Sequence, residues 1–520
     1  MRKNALFSIM LVVTTFLSAA CTPGTAGNTG TAETAGSEVK QPGQENKNDL
    51  VIGFNGDAVT MLANTDVNSF TDYQIRNIYD PLIDRDAQGK LIPALATEWK
   101  QVNDLTWELT LRDDVTFHNG EPFNAEAVKF NIDYILDEKN NSFYRSRWTN
   151  IQEAKVIDPY KLQIITKKPF SDLAWRLSED LLIMEPNHIK KVGLKAAAEN
   201  PVGTGAYKFD KWERHQYLRL VANENYWRGN PSIKQVTFTY IPEFSGRLAA
   251  FLSGEVDLIG NVPVESVDAI KKDTKSKIET VSTINIVYVA LNTFYDGPLK
   301  DKKVRQAINY AVDVDELLNS INGGYGTKMT GPFSKGNQDY TETKDYGYHP
   351  DKAIALLAEA GYKPSDLNLQ LDVSETSDPI GLSVTQAIAS QLDRIGVKVT
   401  IQNNEWGNHL AKIRQREMKD MFYLGYTNLF TAQNSLESLF VKEAPYSSFY
   451  DPEVEEMINK AISTTDQAAR KKAFDEIQHR LVEEAAWVPL WQREATYALA
   501  KELKFKPRVD SRLYAFDMSW

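Results

Sequence analysis

The chain has 520 residues, of which 42% are hydrophobic and 25% charged. That is the make-up of a soluble globular protein too long for one core, so two or three domains are expected. A net charge of -11 argues against nucleic acid as a partner, because phosphate backbones call for basic patches, and a single cysteine excludes an intramolecular disulfide.

The first segment reads as a leader. Met1-Arg2-Lys3 is followed by an apolar run over 5–17 and by Ser18-Ala19-Ala20, directly before Cys21. A charged start, a short apolar stretch and small residues before a cut form an export signal. The spacing resembles the bacterial lipoprotein signal, with Ser18 where leucine is commonest. It implies removal of residues 1–20 and lipidation of Cys21. The run is shorter than the roughly 20 residues a membrane span needs. Residues 22–48 are rich in Thr, Gly, Ala, Glu, Gln and Asn and lack apolar periodicity. They read, within 21–49, as a flexible tether.

The body follows. Strands are expected over 50–54, 107–112, 161–166, 236–241, 284–292, 367–373 and 397–402, by alternation or by continuous apolar runs. The run 284–292 has the pattern of a strand buried on both faces. Helices are expected over 124–136, with Asn124 as N-cap and Val128, Ile132 and Ile135 on one face, and over 245–252, ended by Gly254. Further helices are expected over 302–321, 351–360, 380–395, 453–461 and 468–484. Alternating strands and helices give an α/β architecture with mixed sheets.

Catalytic motifs are missing. None of the six histidines lies in an H-E-x-x-H arrangement or at metal-ligand spacing, and there is no G-x-S-x-G elbow, Walker loop or dinucleotide fingerprint. His409 is expected to be a surface or pocket-wall histidine. No catalytic residue, metal ligand or cofactor is assigned.

Three stretches are specific in combination: Pro93-Ala-Leu-Ala-Thr-Glu-Trp99, Leu105-Thr-Trp-Glu-Leu-Thr-Leu-Arg-Asp-Asp-Val-Thr-Phe-His-Asn-Gly120 and Pro122-Phe-Asn-Ala-Glu-Ala-Val128. Asn200-Pro-Val-Gly-Thr-Gly-Ala-Tyr207, Asn225-Tyr-Trp227, Leu252-Ser-Gly-Glu-Val-Asp257 and Val304-Arg-Gln-Ala-Ile-Asn-Tyr-Ala311 follow in order. Together they resemble the peptide, nickel and oligopeptide class of solute-binding proteins of ABC importers, family 5. Within these motifs Trp107, Leu109 and Leu111 have strand spacing and belong in a core. Gly120 and Gly205 fit turns with unusual backbone angles, and Arg112 and Asp114 are placed to pair.

The resemblance implies a two-lobed periplasmic-binding-protein fold of three domains (cluster C type). One lobe would use 50–80, 200–295 and 496–520, with an inserted domain over 81–199. The second lobe would span 296–495. The lobes would close over a small-molecule or peptide ligand, and the closed form would dock on an ABC permease. The lipid on Cys21 would hold a monomeric receptor, not an enzyme, outside the cell membrane and close to that permease.

Three stretches resemble the glutathione-binding branch: Ile241-Pro-Glu-Phe-Ser-Gly-Arg247, Val262-Pro-Val-Glu-Ser-Val267 and Met421-Phe-Tyr-Leu-Gly-Tyr426. Dipeptide binders of the family place an aspartate in the loop after Gly425, opposite the ligand's amine. Here 426–435 carries no acid, and the first is Glu437, which argues against an amine held through this loop. Tyr426, which matches a family aromatic, and Phe430 are expected as walls, with Asn428 and Gln433 as polar contacts. Trp406 falls where the family often lines its cleft. Arg145 or Arg147 is expected to meet a carboxylate, and Asn55 and Asn292 fit the cleft edges. For each aromatic a core position is an equal alternative, and for each arginine a solvated surface pair is the alternative. A nickel or metal-chelate receptor is the rival within the family. A surface hydrolase or chaperone-like protein is the rival outside it.

Overall fold

The computed structural model describes residues 48–520 except 67, 376, 428 and 429. The leader, Cys21, the tether up to residue 47 and Asn428 lie outside the described residues. Among the described residues, no helix is long and apolar enough to cross a membrane.

One mixed sheet of eleven described strands runs through the molecule. Its order is Lys398–Asn403, Asn368–Val373, Met421–Thr427, Ser276–Leu291, Trp487–Ala500, Leu258–Ile259, Asp49–Phe54, Gln235–Tyr240, Tyr217–Ala222 and Tyr207–Glu213, with Thr327–Lys328 paired to Trp487–Ala500. The two long strands at its centre, Ser276–Leu291 and Trp487–Ala500, are antiparallel and join two separate bodies. Ile278 and Ala498 pack with the first body, beside Phe251 and Val256. Farther along, Val287, Val289 and Leu291 enter one core of the second body, and Ile286, Tyr288 and Ala290 enter the other. Alternate side chains thus feed opposite faces, as the continuous apolar run requires. The pairing register shifts between Ser282 and Ile286. There Gln492 Nε2 donates to the Thr283 carbonyl at 2.5 Å, and Thr283 Oγ1 donates to the Arg493 carbonyl at 3.0 Å.

A second sheet, antiparallel, is built from Ala96–Asn103, Thr106–Leu111, Lys161–Thr166 and Ile151–Asp158. Trp107, Leu109 and Leu111 are buried as their alternation requires, and Trp107 and Leu109 stand opposite Ile164 and Leu162. The helix Ala125–Leu136 belongs to the same core, with Val128, Ile132 and Ile135 fully buried. Asn124 caps it by accepting the Ala127 N–H at 3.1 Å. Arg112 grips Asp114 with two hydrogen bonds.

Several expectations need correction. The segment 302–321 is two helices, Lys302–Ala311 and Val314–Ser320. Val312 is extended between them, and Asp313 starts the second by accepting the Glu316 N–H at 2.9 Å. Gly120 has a left-handed backbone (φ +89°), but Gly205 does not. Gly205 is small because a Cβ there would stand 2.6 Å from the Ile78 carbonyl carbon. Most of the expected loop over 426–435 is regular: Tyr426 and Thr427 end a strand, and the helix Ala432–Leu439 follows.

Candidate functional site

A cleft opens between the two bodies beside the crossing strands. Its inner chamber is about 410 Å³ and has Ile284 of the long strand among its lining residues. Asp72, Tyr73, Arg85, Arg147, Glu179, Asp510 and Arg512 line it from the first body, and Trp406, Leu424, Gly425, Tyr426 and Phe430 from the second. The outer chamber is about 1020 Å³. The two share Phe143, Arg147, Tyr426 and Tyr446 and so form one continuous space.

The acids of the inner chamber are already matched. Arg512 reaches Asp72 at 2.7 Å and Glu179 at 3.0 Å. Arg85 binds Glu179 at 2.5 Å, Arg76 binds Asp72 at 2.7 Å, and Arg508 binds Asp510 at 3.0 Å. Four arginines therefore surround three carboxylates in a largely buried lattice. Asp72 and Glu179 each hold two arginines, so these charges are compensated within the protein, as buried charges must be.

The outer chamber is different. Arg147, Lys167, Lys168, Arg176 and Arg414 line it, with Glu437 as the one lining acid. Arg147 and Arg176 share a single buried carboxylate, Asp180, at 3.2 and 3.0 Å. Lys167 Nζ donates to the Thr149 carbonyl, and Arg414 donates to the Tyr446 hydroxyl at 2.8 Å. Among the described residues, Lys167, Lys168 and Arg414 make no ion pair. Positive charge is therefore in surplus on this wall of a chain that is acidic as a whole.

The expected site residues divide. Tyr426 lines both chambers, half-buried, with its ring 6.0 Å from Tyr446 and its hydroxyl pKa raised by burial. Trp406 opens the helix Trp406–Gln415, presents to the inner chamber and stacks 6.1 Å from His409. Arg147 lines both chambers and Gln433 the outer one. Phe430 is at once wall and plug. It is buried, stacks on Trp175 at 5.7 Å, and lies under the Arg85 guanidinium at 4.3 Å.

Three expected residues lie elsewhere. Arg145 is held by Glu138 and donates to the Leu136 carbonyl at 3.2 Å, away from both chambers. Asn292 is buried and structural: its Nδ2 donates to the Met418 and Lys419 carbonyls, and its Oδ1 accepts the Phe294 N–H. Asn55 follows the first strand but is among the lining residues of neither chamber. His409 is a core residue, not a surface one. It is fully buried, its Nε2 faces the Tyr423 carbonyl at 3.2 Å, and burial lowers its pKa. Among the described residues, no group of three or more His, Cys, Asp or Glu side chains is placed to hold a metal ion.

Sequence reasoning missed Arg85, Arg512, Arg414, Tyr446 and the Lys167-Lys168 pair. Only the last had a local signal, two adjacent cations directly after a strand.

The family model for bacterial extracellular solute-binding proteins, family 5, matches residues 90–447. The chain belongs to this family. As a family 5 solute-binding protein it is 28% identical over 484 residues to the glutathione-binding protein of Pectobacterium atrosepticum, covering 90% of this chain and 93% of that relative. It is 28% identical over 439 residues to the nickel-binding periplasmic protein of Escherichia coli, covering 79% and 83%. Its fold matches an ABC transporter substrate-binding protein of Listeria monocytogenes with a TM-score of 0.83 and 23% identity, over 90% of this chain and 98% of that one. The mixed α/β architecture expected of a family 5 solute-binding protein is thus the observed one.

Proposed function

We propose that this family 5 protein is a receptor, without catalytic activity of its own, that captures a small peptide-like anion in its cleft and presents it to an ABC permease. The observation that carries the reading is the outer chamber, with five cations against one acid. Carboxylates bound by charged donors make strong, directional contacts. Arg147 is the main anchor: Asp180 is shared with Arg176, and the Arg147 side chain, which lines both chambers, remains 34% exposed. Tyr426 and Trp406 supply apolar walls for the ligand's backbone and side chains. Glutathione, for which the Pectobacterium relative is named, has the size and the two carboxylates this chamber suits.

The same cations suit an anionic metal chelate, and the E. coli relative favours that second reading. In it, arginine and tryptophan contacts would hold the chelator's carboxylates, not the metal.

The lobes would move about the crossing near Thr283 and Arg493, where the long strands change register. In this organisation the four-stranded sheet forms the core of the inserted domain. Cys21 would carry the lipid that keeps a monomeric receptor on the outer face of the membrane.

Native mass spectrometry of the purified protein, followed by calorimetry with glutathione, a nickel–histidine chelate and a dipeptide, tests the assignment. Stoichiometric binding of one of these with no turnover is expected. Hydrolysis of the bound solute by the protein alone would overturn it.

A further inference from the structure

Two lysines outside the cleft hold the same oxygen. Lys344 Nζ and Lys352 Nζ donate to the Tyr310 hydroxyl at 2.9 and 2.8 Å. Both ammoniums also lie over the Tyr310 ring, 5.5 and 4.1 Å from its centre. Among the described residues neither lysine makes an ion pair. Asp345 holds Lys328 at 2.9 Å, and Glu483, which also feels the Lys344 charge, holds Lys302 at 2.9 Å. Two like charges on one neutral oxygen repel each other. The phenol has its own O–H to place as well. Its oxygen already accepts twice, and among the described residues no acceptor takes that hydrogen. Three donors therefore converge, and no carboxylate of the described chain answers them.

Their placement has local causes. Tyr310 sits near the end of the helix Lys302–Ala311 and is only 3% exposed. Its carbonyl accepts the His349 N–H at 2.8 Å, which docks the start of the helix Pro350–Glu359 beside it. Lys352 lies in the first turn of that helix, where the backbone dipole disfavours a cation and favours an anion. No side chain caps this helix start. Lys344, from the segment before it, lies 5.2 Å from the centre of the Tyr346 ring. Tyr346 is fixed in turn, because its hydroxyl donates to the Val482 carbonyl at 2.7 Å. Burial pushes the Tyr310 pKa up, but the two lysines outweigh it and bring it below the ordinary phenol value. Both lysines are exposed, and none of the three residues lines either chamber of the cleft.

We propose that Tyr310, Lys344 and Lys352 form a second binding site, separate from the cleft, for inorganic phosphate or a phosphate monoester. The two ammoniums and the phenol O–H each donate to a different oxygen of the anion. Such a phosphate presents three terminal oxygens on one face, which matches three donors. A phosphodiester, as in a lipid head group, has only two free oxygens, and so has a carboxylate. Hydrogen bonds from cations to an anion are strong, and the uncapped helix start adds to the attraction. The anion also offsets the repulsion between the two lysines. The site works whatever solute fills the cleft.

The test is calorimetry at fixed ionic strength with inorganic phosphate, glycerol phosphate, dimethyl phosphate and acetate. It is run on the wild type, on the double variant Lys344→Gln/Lys352→Gln, on Tyr310→Phe and on Arg147→Ala. The wild type should bind one equivalent of inorganic phosphate or glycerol phosphate, and the tighter of the two names the source. Dimethyl phosphate and acetate should bind roughly tenfold or more weakly. The double lysine variant should lose roughly tenfold or more in phosphate affinity, and Tyr310→Phe should also weaken it. Without phosphate, the double variant should unfold at the same temperature as the wild type or higher, since the repulsion is gone. Arg147→Ala, which alters the cleft, should bind phosphate as the wild type does. Loss of phosphate binding in Arg147→Ala with no change in the lysine variant would move the anion to the cleft and overturn the site. Equal binding of acetate would overturn the match of three oxygens to three donors. No phosphate binding, with a Tyr310 phenolate absorbance near neutral pH that the double variant abolishes, would make the phenolate itself the partner of both lysines and overturn the proposal.

Discussion

The inner and outer chambers carry similar residue types and use them in opposite ways. In the inner chamber each of Asp72, Glu179 and Asp510 is held by arginines, most of them nearly buried. In the outer chamber Arg147 and Arg176 share one carboxylate, and Lys167, Lys168 and Arg414 make no ion pair among the described residues. The first arrangement is architecture: it ties the C-terminal segment to the helix Ser69–Ile75 and completes the floor. The second leaves charge for something that arrives from outside. Counting arginines would not separate the two, whereas asking which carboxylate each one already holds does.

The largest effect should come from breaking the lattice. Arg512→Ala leaves Asp72 with Arg76 alone and Glu179 with Arg85 alone, so the loss should approach but not exceed the about 3–5 kcal/mol of a fully broken buried pair. Urea unfolding should show that loss; a loss under about 1 kcal/mol would mean the lattice is dispensable. Next comes Arg147→Ala. Arg176 remains on Asp180, so stability should hold while affinity for a carboxylate-bearing solute falls by about 1.5–3 kcal/mol, the value of a charged hydrogen bond. A stability loss with unchanged affinity would place Arg147 with the architectural arginines.

Asp339 belongs to neither pattern. Burial pushes its carboxyl up to about 6 from an ordinary 3.8, against the pull of Arg470 and Lys471. The folded protein therefore keeps this proton over a range where the unfolded chain has released it. The sign follows: this group's contribution makes stability fall as pH rises from about 4 to about 6. Asp339→Asn should remove that part of the slope in a pH series of unfolding curves. The smallest effect is expected of Arg145→Ala, whose pair with Glu138 is exposed. Stability should change by under about 0.5 kcal/mol and affinity not at all. A loss of affinity would restore Arg145 to the cleft.

What could be read from sequence follows the range of the forces involved. The strand over 284–292 announced its two buried faces, and Asn124 announced a helix start, because both signals lie within one turn or one pleat. The Asp72–Arg512 contact joins residues 440 positions apart, and nothing local to either one marks it. Asn292 and Phe430 show a second limit. Residue type and family position suggested cleft contacts, but the Asn292 amide is fully engaged by backbone, and Phe430 is mostly packed between Trp175 and Arg85. Arg145 and Arg147 were equivalent in sequence. They separate only because a 3-10 turn over Phe143–Trp148 sends one to Glu138 and the other into the cleft.

On the proposed function, the surplus cations of the outer chamber capture a carboxylate. Calorimetry comparing glutathione with its dimethyl ester tests this most directly, because the ester keeps the amine, the thiol and the backbone and removes both negative charges. Esterification should weaken binding by roughly tenfold or more, and Arg147→Ala should remove most of that difference. Equal affinity for the acid and the ester would contradict it.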